Sequence, residues 1–201
     1  MIVDCAIYRE GHRTDGPEDL SDALDEARSA GGFVWIGLHE PSEKEFELVT
    51  KEFGLHPLAV EDALKAHQRP KLEVYDDSLF VVLKPVVYEP DSDAVSTGEV
   101  MLFLGDAFVV TVRHGVGSPL KAVRERLEQE PKLLGKGPTA VLYAVADAVV
   151  DHYLEVATEL STDLEELEAE VFSPNDGGSR HTASRIYRFK RQILELSLIH
   201  I

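Results

Sequence analysis

The sequence predicts an α/β fold, a mixed sheet with flanking helices, that carries a long antiparallel helical hairpin as an extension. Three observations lead there. Strand and helix patterns alternate at first, strands then cluster, and helical patterns alone remain after Ser118. Between Pro138 and Phe172 there is no Gly or Pro. Apolar residues in that stretch fall at Leu142, Val145, Val149, Tyr153, Val156, Leu160, Leu164, Leu167 and Val171, in steps that match the α-helical period. Finally, Ser173-Pro174 and Asn175-Asp176-Gly177-Gly178 stop that helix, and the turn is short enough to make the next helix antiparallel. The expected division is an α/β domain over 1–137 and a hairpin over 138–201. The hairpin comprises an acidic helix 138–172, a turn 173–178, a basic helix 179–196 and a foreign tail 197–201.

Taken in order, Ile2–Tyr8 reads as a strand, followed by a polar turn through Gly11 and Gly16. Pro17–Ala30 reads as a helix ended by Gly31-Gly32, and Phe33–Leu38 as a strand apolar enough to lie inside a sheet. Ser42 with Glu45 three residues on forms a capping box for a helix that buries Phe46, Val49 and Phe53 and closes at Gly54. A second short helix follows His56-Pro57 and runs to Arg69-Pro70. Leu72–Tyr75 and Leu79–Tyr88 flank the turn Asp76-Asp77-Ser78, while Glu99–Leu104 and Phe108–Val112 flank Gly105-Asp106, so two hairpins are expected. Ser118-Pro119 opens a charged helix through Val123 and Leu127. The Gly135-Lys136-Gly137 linker then leads into the long helix, roughly 50 Å of it at 1.5 Å per residue.

Charge narrows the function classes. The net charge is −17, which argues against a nucleic-acid partner, since that needs a basic face to replace counterions. Residues 138–172 hold nine Asp or Glu and no Lys or Arg, whereas Arg180, Arg185, Arg188, Lys190 and Arg191 make the returning helix basic. Folding back sets the basic segment beside Asp163–Glu170, and the charges mainly select which faces meet. The single cysteine, Cys5, excludes an internal disulfide and fits a reducing compartment. No signal peptide is visible and no run reaches the ~18 apolar residues of a membrane span, so a soluble chain is expected.

The candidate site residues are carboxylates. Glu61 and Asp62 are neighbours on a short helix; as hard oxygen ligands they suit Mg²⁺, which keeps most of its waters and takes one or two carboxylates per site. Asp147 and Asp151 lie one turn apart on the long helix, and Asp147 falls in the otherwise apolar stretch 140–150, where a carboxylate needs a partner or a metal. His56 and His67 lack a second ligand at zinc spacing. Gly135-Lys136-Gly137 lacks the earlier Gly and the following Ser or Thr of a phosphate loop. No Ser or Cys arrangement resembles an activated nucleophile, so no enzyme is expected.

The run His56-Pro57-Leu58-Ala59-Val60-Glu61-Asp62, then His67-Gln68-Arg69-Pro70-Lys71-Leu72-Glu73 and Tyr75-Asp76-Asp77, resembles the CorA family of divalent-cation transporters. Val123–Arg126, Leu142-Tyr143, Asp147–Tyr153, Glu165–Glu168 and Lys190-Arg191 extend the resemblance over most of residues 33–196. It implies the cytoplasmic, Mg²⁺-sensing part of a homopentameric transporter whose two spans and Gly-Met-Asn motif would follow in sequence. It further implies that Asp62 is a regulatory Mg²⁺ ligand between protomers, facing a carboxylate beyond residue 201, with Glu61 and Asp147 at a nearby second site. Metal binding to these residues alone should therefore be weak. The competing readings are the same part of a zinc-transporting relative and a free-standing Mg²⁺-binding regulator.

Overall fold

The computed structural model describes residues 1–14, 20–89, 94–117, 120–172 and 180–199. Nine strands occur in chain order among them: β1 Ile2–Arg9, β2 His12–Arg13, β3 Phe33–His39, β4 Lys71–Tyr75, β5 Ser78–Leu83, β6 Val86–Glu89, β7 Ala94–Thr97, β8 Glu99–Leu104 and β9 Phe108–His114. The helices are α1 Ala23–Ser29, α2 Glu43–Phe53, α3 Pro57–Lys65, α4 Leu120–Glu128, α5 Pro131–Leu134, α6 Pro138–Val171 and α7 Arg180–Ile199.

Seven strands form one sheet in the order β2-β1-β3-β9-β8-β5-β4; β3 and β9 run parallel and the other pairs antiparallel, so the sheet is mixed. The strands β3, β8 and β9 are apolar on both faces because helices cover both. On one face Val34, Ile36, Phe80, Met101, Phe103 and Val110 pack against Ala23 and Ala27 of α1, Phe46, Val49 and Phe53 of α2, and Ala59 and Ala63 of α3. On the other, Tyr8, Trp35, Val81, Leu102 and Val109 meet Val123 and Leu127 of α4, Leu134 of α5, and Val141, Ala144 and Val145 of α6.

Local signals act as expected at several ends. Ser42 and Glu45 close the capping box of α2, and Gly54 ends it in the left-handed conformation with φ 60°. The β4–β5 hairpin turns on Asp76 and Asp77, with Asp76 at φ 47°. Of the Pro17–Ala30 helix, α1 forms only from Ala23, after a single 3-10 turn at Leu20–Asp22; residues 15–19 lie outside the described ones, as do Pro119 and the whole expected turn 173–178.

Other elements differ from expectation. Leu79–Tyr88 is not one strand: Lys84-Pro85 splits it, and β6 pairs with β7 in a separate two-stranded sheet. Helix α3 stops at Lys65 rather than near Pro70, because Ala66 and His67 both adopt positive φ, 53° and 58°. A short α5 precedes the Gly135-Lys136-Gly137 linker. Helix α7 continues to Ile199, past the expected end at 196.

Helix α6 holds the architecture together. Its first half is sheet core, but only on one face: Ala140, Val141, Ala144, Val145 and Val149 are buried while Tyr143 and Val150 stay exposed. Its middle, Val156 and Leu160, packs with Val86 and Tyr88 of the small sheet and Phe189 of α7. The return is antiparallel, with Arg185 paired to Glu170 at 2.8 Å.

A charge network ties α4 to the edge of the sheet. Arg13 binds Asp4 at 2.7 Å and Glu128 at 3.1 Å, Arg124 also binds Asp4, and the Tyr8 hydroxyl donates to Glu128 at 2.6 Å. Burial alone would raise the Asp4 pKa, but Arg13 and Arg124 outweigh it and hold the carboxyl below its ordinary value. A carboxyl depressed on folding stabilises above its unfolded pKa and loses that contribution as pH falls through the folded value. The melting temperature should therefore fall as pH drops below about 4, and less steeply in Asp4→Asn. Parallel pH curves for parent and variant would contradict this.

Candidate metal centre

The first pair of candidate acids is placed by α3. His56 caps the helix, its Nδ1 accepting from the Leu58 backbone N–H at 3.3 Å, and Pro57 occupies the first turn. The His56 ring stacks on Tyr75 of β4 with centroids 4.0 Å apart, and His114 of β9 reaches the Ala63 carbonyl at 2.8 Å. With Ala59 and Ala63 buried, Asp62 comes to the helix edge and Glu61 to its outer surface.

Neither acid stands alone. The abrupt turn at Ala66-His67 brings the chain back so that Lys71 donates to Asp62 at 2.6 Å and pairs with Glu73 at 2.8 Å. Burial would lower the Lys71 pKa, but its two carboxylate partners raise it above the ordinary lysine value, and Lys71 in turn lowers that of Glu73. One ammonium is thus held between two carboxylates, where a divalent cation would also be attracted. Glu61 pairs with Lys65, which lowers the pKa of Glu61.

The second pair lies on α6. Asp147 is half-buried, as a carboxylate in that apolar stretch should be, and Arg126 of α4 donates to it at 3.2 Å and to the Ala144 carbonyl at 3.4 Å. Asp151 is exposed and lines a cavity of about 300 Å³ together with Arg126, His152 and Glu155. His152 Nδ1 lies 2.9 Å from Glu155.

Within one chain the four acids do not converge. Glu61 and Asp62 sit with α3 on one face of the sheet, Asp147 and Asp151 with α6 on the other. Among the described residues, no group of three or more His, Cys, Asp or Glu side chains is close enough to hold a metal. Hydrated Mg²⁺ suits the donor set at Asp62 and Glu73, all carboxylate oxygen, provided it displaces the Lys71 ammonium. The sequence reading missed Lys71, Glu73 and Arg126 as partners. Lys71 and Glu73 stand in the run beginning at His67, and Arg126 ends the Val123–Arg126 match, so the residues were marked but their pairings were not.

A family profile described as CorA-like Mg²⁺ transporter protein matches residues 30–199. The chain belongs to that family. It is 35% identical over 136 residues to the Bacillus subtilis protein YfjQ, covering 68% of this chain and 41% of that one. It is 32% identical over 167 residues to the cobalt/magnesium transport protein CorA of Thermotoga maritima, covering 81% of this chain and 46% of the relative. The chain thus spans less than half the length of these two relatives. In fold, this CorA-family chain resembles the soluble domain of CorA from Methanocaldococcus jannaschii, with a TM-score of 0.71 at 16% identity over 96% of this chain and 74% of that one. Among the described residues, no helix is long and apolar enough to cross a membrane.

Proposed function

We propose that residues 1–201 form the Mg²⁺-sensing cytoplasmic part of a homopentameric divalent-cation transporter, in which the ion held between subunits keeps the closed state. One observation supports this most: the candidate acids Glu61 and Asp62 lie across the sheet from Asp147 and Asp151. A site that uses both sets can be assembled only between copies of the chain.

The resident cations give the latch its balance. With Mg²⁺ absent, Lys71 neutralises Asp62 and Arg126 neutralises Asp147 within each subunit. Facing subunits then have no shared cation to bridge them. When Mg²⁺ enters, it replaces these internal partners and links carboxylates of neighbouring subunits.

Each site is weak by design. At a Mg²⁺ concentration equal to the dissociation constant, occupancy contributes RT ln 2, about 0.4 kcal/mol. Two sites on each of five subunits supply about 4 kcal/mol, near the ~5.5 kcal/mol of a full population switch. Binding to residues 1–201 alone should be feeble.

The test uses the full-length protein in a transport assay. Asp62→Ala should raise the Mg²⁺ needed to shut transport, whereas Lys71→Gln, which removes the internal competitor, should lower it. An inhibition curve unchanged by Asp62→Ala would refute the role.

A further inference from the structure

Strand β4 lies at the edge of the main sheet, and the alternation of a strand decides which of its side chains meet α3. Lys71, Glu73 and Tyr75 share the α3 face, while Leu72 and Val74 turn to the other and are exposed. Three polar side chains thus stand in a row beside the helix edge that carries Asp62.

The row is connected from end to end. The Lys71 side chain passes the Phe80 ring, with Nζ 5.5 Å from its centroid. Its ammonium lies 2.6 Å from Asp62 Oδ2 and 2.8 Å from Glu73 Oε2. The same Oε2 accepts from the Tyr75 hydroxyl at 2.9 Å. The Tyr75 ring lies flat on His56, with 9° between the planes, and His56 is itself held by capping α3. Tyr75 therefore aims Glu73 at the ammonium, and Glu73 meets it independently of Asp62.

This arrangement bears on what happens when another cation takes Asp62. The Lys71 side chain is only 26% exposed and is tethered to the strand, so its evicted head does not simply leave into bulk water. A half-buried ammonium without a counterion is costly. Because Nζ already touches both carboxylates, passing from shared to held by Glu73 alone requires only a small shift.

We propose that Glu73 is a second seat for the Lys71 ammonium, and that Tyr75 is a positioning residue that keeps this seat in place, so that Asp62 can release the ammonium to a divalent cation. What replaces the ammonium on Asp62 rests on the divalent-cation reading above; the second seat does not. A seat is distinct from a metal ligand. Glu73 acts through Lys71, and its influence disappears when Lys71 is removed.

The seat is tested first without metal, in the 201-residue chain. Asp62→Asn removes the carboxylate, and heteronuclear NMR of the lysine ammonium groups follows Lys71, whose signal is identified by its loss in Lys71→Gln. Adding Glu73→Gln to Asp62→Asn should speed exchange of the Lys71 ammonium protons with water about two- to fivefold, the scale an exposed ion pair supports. Adding Tyr75→Phe instead, which keeps the ring on His56, should give part of that increase. In the full-length protein, Glu73→Gln should raise the Mg²⁺ needed to shut transport about two- to fivefold. In a Lys71→Gln background the same substitution should have no effect, which a double-mutant cycle reads directly. If Asp62→Ala leaves inhibition unchanged while the exchange result holds, the divalent-cation reading fails and the seat stands. Equal Mg²⁺ shifts from Glu73→Gln in both backgrounds would make Glu73 a ligand and overturn the proposal. So would Lys71 exchange in Asp62→Asn that Glu73→Gln leaves unchanged.

Discussion

Lys84→Met should cost about 3–5 kcal/mol of stability, the usual penalty for leaving a buried charge without its counterion. Lys84 pairs with Glu99 at 2.5 Å, and the two side chains are only 15% and 6% exposed. The other oxygen of Glu99, Oε2, is buried without a hydrogen-bond partner among the described residues, so none of them compensates the carboxylate once the ammonium is gone. The pair sits where the chain leaves β5 for the small β6–β7 sheet, and the Tyr153 hydroxyl of α6 donates to the Lys84 carbonyl at 2.6 Å. Urea denaturation should show the loss as a lower midpoint at unchanged slope. The double variant Lys84→Met/Glu99→Leu should recover most of it, since an apolar pair of similar volume carries no desolvation penalty. A loss below about 1 kcal/mol in the single variant would mean that solvent reaches Glu99 freely.

Phe189→Ala should detach α7 from α6 while leaving the main sheet intact. Among the described residues, Phe189 is the large apolar side chain of α7 that is buried, at 5% exposure, against Val156, Leu160, Val86 and Tyr88. Of the other apolar side chains of α7 described, Ile186, Tyr187, Ile193 and Leu194 are exposed, and Leu196 packs only partly buried against the same cluster. Truncating a buried Phe costs about 3–5 kcal/mol, comparable with what can hold one amphipathic helix in place. The loss should therefore appear as local opening rather than global unfolding. In hydrogen exchange, α7 amides should exchange at least about a hundredfold faster while β3, β8 and β9 keep their protection. Unchanged α7 protection would contradict this and show that the remaining contacts, Leu196, Gln192 with Val95 and Arg185 with Glu170, hold the arm without the aromatic anchor.

Much of the fold was legible because local chemistry and global packing agree. The long helix from Pro138 is free of breakers and carries a regular apolar stripe, and it forms to Val171. Ser42, Glu45 and Gly54 mark α2 from both ends. The small sheet was not legible: Val86, Val87 and Tyr88 continue the apolar run of β5, and Pro85 permits the break without announcing which partner β6 then takes. The end of α3 was hidden for a different reason. Ala66 is unfavourable in the positive-φ region and His67 only tolerates it, so their identities signal weakly the turn that brings Lys71 to Asp62.

The same limit applied to the site. Sequence patterning marked Asp147 as a carboxylate in need of a partner and Asp62 as a candidate hard oxygen ligand; in the structure Arg126 pairs with the first and Lys71 with the second. Arg126 is 21 residues from Asp147 and on another helix, a pairing that helical periodicity cannot reveal. That each acid is engaged by a cation of its own subunit counts against a ready-made divalent site in the single chain; on the proposed reading the ion must displace a tethered ammonium or guanidinium.

The most direct measurement is to locate Mn²⁺, as a scattering substitute for Mg²⁺, by anomalous diffraction from crystals of the full-length oligomer. The account expects a peak at a subunit boundary within about 5 Å of the Asp62 carboxylate, one layer of water included, with the Lys71 ammonium displaced from Asp62. Asp62 still bound to Lys71 in every subunit, with no boundary peak at saturating Mn²⁺, would contradict it.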